Sequence, residues 1–119
     1  MPVSMVVLSG RPPDWTQERF TTWWRGEHAD AAAKLPGLIA YRHGRVTSDY
    51  DQPDEPGWDG HAVLTFVDHA ALDAALRSEE WRSATAQTRG MKGKRIIVVT
   101  EEVDLLALKR GSVEAGAGG

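Results

Sequence analysis

The first residue here with chemistry to explain is a histidine on the apolar side of an amphipathic helix. In Phe20-Thr21-Thr22-Trp23-Trp24-Arg25-Gly26-Glu27-His28, the apolar stripe is Phe20, Trp23, Trp24, Ala31 and Leu35, and His28 falls in the turn where another large apolar side chain is expected. A proton-transferring group pressed toward a core needs a partner or a job. A neutral imidazole, with an ordinary pKa of about 6.5, accepts a proton at neutral pH and returns it without a cofactor, which suits a substrate with an acidified C–H or a phenol. The same ring, bonded to a backbone carbonyl and a water at the core edge, would be purely structural. Both readings fit the spacing.

Tyr41 follows soon after that helix, on a strand that passes beneath it in a split βαβ unit. Its hydroxyl could meet His28 across a cavity and, as a neutral donor, stabilise a developing enolate or phenolate oxygen. On the other face of the strand it would be packing. His43 shares the face of Tyr41 and His61 begins the neighbouring strand, so both are candidates for a proton relay; each also fits a solvated strand residue. Phe20, Trp23, Trp24 and Phe66 are the candidate walls of a small apolar pocket, with core packing as the competing role.

Other chemistries are poorly supplied. His28, His43, His61 and His69 come from separate elements and show no HExxH or comparably close ligand pair, so no metal is expected. Glu27 and Asp30 flank His28 without the i+4 spacing of a helix-internal dyad. There is no nucleophile elbow, and Gly90-Met91-Lys92-Gly93-Lys94 lacks the spacing of a phosphate-binding loop.

The elements that must position these residues are legible as pattern. Val3 to Ser9 is an apolar run closed by Gly10-Arg11-Pro12-Pro13, which predicts a first strand. Asp14 at the N-cap, with Gln17 three residues on, predicts one long helix from about Trp15 to Lys34, ended by Pro36-Gly37. Gly26 in its middle costs about 1 kcal/mol relative to alanine; it fits close approach of a backbone or ligand and equally a neutral exposed position. Ile39 to Ser48 predicts the second strand, Asp49 to Asp59 a loop, and His61 to Val67 the third strand. Asp68 caps a helix through Leu72 and Leu76, a shorter helical segment follows around Glu80-Trp81, and Lys94 to Val103 is the fourth strand. From Gly111 the Gly/Ala-rich residues 111–119 are expected to be a flexible tail after a single domain over 1–110.

The order β-α-β-β-α-β is that of an α+β ferredoxin-like fold: an antiparallel four-stranded sheet with helices on one face only. The uncovered face invites a second subunit packed sheet on sheet, so a homodimeric α+β barrel is expected. With 119 residues, 41% of them hydrophobic, the chain supports one core. A net charge of −3 with scattered basic residues gives no footprint for nucleic acid, and the lack of cysteine removes thiolate chemistry. No run approaches a membrane span or a secretory signal, so a cytoplasmic protein without a membrane partner is expected.

Several of these features together resemble the EthD family: Phe20-x-x-Trp23-Trp24-x-x-x-His28, Leu35-Pro36-Gly37-Leu38 with Tyr41, Asp59-Gly60 before the third strand, and Ser78-x-x-Trp81. The resemblance spans about Val3 to Val103 and departs at Ala29-Asp30, where the family pattern has an apolar residue or proline. The family is similar to other dimeric α+β barrels, which include lactone isomerases, polyketide cyclases, decarboxylases, cofactor-free monooxygenases and haem-degrading enzymes. It therefore implies a cofactor-free isomerase, lyase, cyclase or monooxygenase acting on a cyclic or aromatic metabolite through His28, with Tyr41 holding the oxygen and His61 or His43 relaying a proton. The alternatives are an accessory protein that holds a hydrophobic ligand and a haem-dependent oxygenase, the latter disfavoured because the conspicuous histidine lies on the first helix. Fold kinship does not choose among them.

Overall fold

The computed structural model describes residues 1–54, 56–88 and 93–118, with 112–118 described by backbone alone. Glu55 of the acidic loop, Gly90 to Lys92 of the glycine-containing segment and Gly119 of the tail lie outside the described residues. The elements are β1 (Val3–Ser9), α1 (Gln17–Arg25), α2 (Glu27–Ala32), β2 (Leu38–Arg45), β3 (Gly60–Phe66), α3 (His69–Leu76), α4 (Glu79–Ala86), β4 (Arg95–Glu101) and α5 (Leu105–Gly118). The sheet order is β2-β3-β1-β4, with every neighbouring pair antiparallel. This is the ferredoxin-like α+β architecture: β1 and β2 flank β3 as a split βαβ unit, and the helices cover one face.

Strand parity sorts the side chains. Val3, Met5 and Val7 of β1, Ala62, Leu64 and Phe66 of β3, Tyr41 and His43 of β2 and Ile97 of β4 share the helix-covered face. Phe20, Phe66, Met5, Leu72 and Val3 are the largest fully buried side chains, each worth about 1.5–3 kcal/mol of burial. The opposite face carries Val6, Leu8, Val63, Ile96 and Val98. Ile96 and Val98 remain 48% exposed there, so the chain alone leaves an apolar sheet face in water.

The expected long first helix is two helices. Pro12 to Trp15 close a turn through a Trp15 N–H bond to the Pro12 carbonyl at 3.0 Å, which delays the start past Asp14. Thr16 is the N-cap instead, its hydroxyl accepting from the Arg19 N–H at 3.1 Å. At Gly26 the backbone leaves helical geometry, with φ −101° and ψ −100°, and the chain restarts as α2. Asp68 and Ser78 cap α3 and α4 by accepting from the Ala71 and Trp81 N–H groups at 2.8 and 3.1 Å. Gly37 adopts φ +78° in the turn into β2, a conformation that favours glycine.

Where a flexible tail was expected from Gly111, the backbone continues as helix α5 through Gly118. Asp104 starts it by accepting from the Ala107 N–H at 3.0 Å, and Leu105 to Arg110 are good helix formers. Leu105, Leu106 and Leu108 are exposed. Among the described residues, no helix is long and apolar enough to cross a membrane.

Candidate active site

The break at Gly26 shapes the site. In an unbroken helix, Trp24 and His28 at i and i+4 share a face, whereas Trp23 at i−5 from His28 does not. With the chain redirected at Gly26, the His28 imidazole stacks against both indoles, at 5.0 Å and 12° on Trp24 and at 4.6 Å and 27° on Trp23. Trp24, buried to 3% exposure, also stacks on His43 of β2 at 4.9 Å and 13°. One indole therefore links a helix histidine to a strand histidine.

Gly60 makes room for that indole. A Cβ on residue 60 would lie 2.8 Å from Trp24 Nε1, closer than real Cβ atoms come, and a tight 3.0 Å from Phe20 Cε1. Asp59 fixes the same corner: its carboxylate accepts from the Arg11 N–H and the Arg11 guanidinium, both at 2.8 Å, and its own N–H bonds to the Ser9 carbonyl. The Asp59-Gly60 pair thus ties the loop to β1 while opening space for Trp24.

His43 Nε2 and the Tyr41 hydroxyl are 2.6 Å apart. Desolvation pushes Tyr41 up to about 12, so it is a phenol at neutral pH. Desolvation also lowers His43, helped by the positive charge of Arg25 and by His61, so its ring is neutral and the phenol donates to it. His28 is lowered to about 4, chiefly by desolvation; the Gln87 side chain opposes this, while His43 and the Arg95 guanidinium add to it. His28 Nδ1 and Gln87 Oε1 are nonetheless both buried without a hydrogen-bond partner among the described residues. The carboxamide favours the charged ring electrostatically but stops short of bonding geometry.

His28, Tyr41, Trp24 and Arg95 line one hollow of about 40 Å³ between the helices and the sheet, floored by Met5, Val7 and Ile97. That is room for a water or two. Beside it lies a cleft of about 340 Å³ lined by Ser9, Phe20, Trp23, Thr88, Lys94 and Arg95. The two share Ser9, Thr88 and Arg95, which stand between them.

The structure therefore brings His28, Tyr41, His43, Trp23, Trp24 and Phe20 together, but neither His61 nor Phe66. His61 pairs with Gly44 across β2 and β3, one residue out of phase with His43, so it stands on the helix-free face. Its Nδ1 lies 3.0 Å from where a Cβ on Gly44 would sit. A relay through His61 would have to cross the sheet. Phe66 is at the far end of β3, six residues or about 20 Å from Gly60, fully buried and 3.9 Å from a Cβ built on Gly37. It packs the core rather than walling the hollow. His69 bonds to Glu101 at 3.0 Å near the surface. Gln87, Thr88 and Arg95 are the neighbours that sequence spacing missed; for Arg95, the parity it shares with Ile97 on β4 was the available signal.

The chain thus sets a half-buried histidine, tyrosine and second histidine between its first helices and a ferredoxin-like sheet. The chain belongs to the EthD domain family, which it matches over residues 12–90. No curated protein matches it significantly. Among solved structures it is similar to an ethyl tert-butyl ether D (EthD) family protein from Bacillus halodurans C-125, with TM-score 0.73 and 21% identity over 87% of this chain and 100% of that one. It is also similar to a dimeric ferredoxin-like protein of unknown function from Jannaschia sp. CCS1, with TM-score 0.62 and 24% identity over 86% and 100%. A third is SnoaB, a cofactor-independent oxygenase from Streptomyces nogalater, with TM-score 0.60 and 14% identity over 87% and 94%. At these identities the likeness is one of fold.

Proposed function

We propose that this protein is a cofactor-independent enzyme acting on a cyclic or aromatic metabolite, such as a polyketide, lactone or phenol, with His28 as general base. The observation that carries the reading is a desolvated, neutral imidazole facing the same hollow as the Tyr41 hydroxyl. Closing the His28 Nδ1–Gln87 Oε1 pair puts the ring proton on Nδ1 and leaves Nε2 free to accept one. His28 then takes a proton from an acidified C–H or phenolic O–H, and the Tyr41 hydroxyl turns from His43 to donate to the resulting oxyanion. Before substrate arrives, His43 holds the Tyr41 hydroxyl at 2.6 Å. Isomerisation, dehydration, decarboxylation, cyclisation and O2-dependent oxidation all begin with this step; SnoaB, of the same fold, is a cofactor-independent oxygenase, and the fold by itself does not choose among them.

The working form in this proposal is a homodimer. The apolar helix-free face of Val6, Leu8, Val63, Ile96 and Val98 supports sheet-on-sheet pairing, as do the dimeric neighbours of the same fold. The test is mass-spectrometric: wild type and His28→Ala incubated, without added cofactor, with anthrones, naphthols, muconolactones and polyketide acids. Conversion by wild type alone supports the enzyme. Ligand retained by native mass spectrometry, with no conversion across the panel, overturns it in favour of a ligand-binding protein.

A further inference from the structure

The cleft beside the hollow is cationic in a protein whose net charge is −3. Its charged lining consists of Lys94 and Arg95; Ser9 and Thr88 add hydroxyls, Phe20 and Trp23 add ring faces, and no carboxylate lines it among the described residues. Lys94 extends its ammonium over the Trp58 ring at 4.4 Å. Arg95, an exposed residue, donates to the Thr88 hydroxyl at 3.2 Å and, like Arg25, Arg42 and Arg45, makes no ion pair among the described residues. Arg95 stands on the helix-covered parity of β4, opposite Ser9, and lines both the cleft and the His28 hollow. A guanidinium left to a single neutral hydroxyl at the junction of two cavities offers most of its donors to something else.

We propose that Arg95 binds the carboxylate of an aromatic acid in this cleft, and so sets the class of substrate. The inference rests on the reading of the cleft and hollow as one substrate site. The cleft volume lies within the range of small-molecule pockets. Trp23, half-buried and shared between the cleft wall and the His28 stack, supplies a face for the ring. With its carboxylate on the guanidinium, an aromatic acid lays its ring along the Trp23 side of the cleft. The bound anion also cancels the positive charge that Arg95 exerts on His28, and so strengthens the base once substrate is in place. The other groups facing that imidazole are His43 from β2 and Gln87 at the end of α4, neither of which is anionic.

The test compares one ring with and without its charge. Calorimetric affinities for 3-hydroxy-2-naphthoate and its methyl ester are measured at pH 7.5 and fixed ionic strength, using wild type, Arg95→Gln and Arg95→Lys. Wild type is expected to hold the acid at least about tenfold more tightly than the ester. Arg95→Gln should bring that ratio close to one by weakening the acid alone, and Arg95→Lys should keep part of it. A wild-type ratio near one, no binding of the acid at millimolar concentration, or a ratio unmoved in Arg95→Gln overturns the assignment. The two readings separate cleanly: acid preference without turnover of any panel compound sinks the enzyme and leaves the anion site, whereas turnover with a ratio near one does the reverse.

Discussion

Burial of His28 makes the folded protein sensitive to acid in a window set by this one ring. The unfolded chain binds a proton there near pH 6.5, while the folded chain resists protonation down to about 4. Above pH 6.5 the ring is neutral in both states and costs nothing. As the pH falls from 6.5 toward 4, the unfolded state binds more protons and stability is lost. At pH 5 the full difference would be about 2 kcal/mol, and partial exposure of the ring reduces it to about 1 kcal/mol. His28→Gln removes the titration while keeping a polar side chain of similar reach. Urea unfolding of wild type and variant, at equal protein concentration and at pH 7.5 and 5, should show wild type losing about 1 kcal/mol more, a relative midpoint shift of about 0.5 M. His43, lowered chiefly by desolvation, is kept in the variant, so the comparison is made at the His28 position. Equal losses in the two proteins, or an NMR titration of His28 with an ordinary midpoint, would refute the picture of a desolvated neutral base.

Two further substitutions test the scaffold. Gly60→Ala places a methyl 2.8 Å from Trp24 Nε1 and should cost about 1–3 kcal/mol in denaturant unfolding while disturbing tryptophan fluorescence; an unchanged midpoint would mean that the indole is not held there. Val98→Asp puts a charge on the apolar helix-free face, where Val98 is 48% exposed in the single chain, and should give monomers in sedimentation analysis; an intact dimer would place the subunit contact elsewhere.

Much of this fold is written in sequence periodicity. Val3 to Ser9 is read residue for residue, because an apolar run bounded by Gly10-Arg11-Pro12-Pro13 has few alternatives. The family resemblance carried by Phe20, Trp23, Trp24, His28 and Tyr41 is matched over residues 12–90. The split of the first helix was harder, since Gly26 is only a weak breaker by propensity; at φ −101° and ψ −100°, a Cβ there would lie 2.9 Å from the Thr22 carbonyl oxygen, which sequence alone does not show. His61 and Phe66 are five apart on one strand and so cannot face the same pocket; parity alone was enough to separate them, and the alternation Ala62, Leu64, Phe66 tells which is buried. Gln87, Thr88 and Arg95 reach the site through tertiary packing, for which a helix end and the first residue of an edge strand give little local signal.

Proton abstraction by His28 is the central step of the proposed function. An anthrone from the substrate panel, incubated in D2O with wild type or with folded His28→Ala, reports that step by deuterium uptake at its acidic carbon even if no later step follows. Wild type should accelerate uptake well above the buffer rate, and His28→Ala should fall back to it while still binding the ring. Equal uptake with both proteins, under conditions where both bind, would contradict the role assigned to His28.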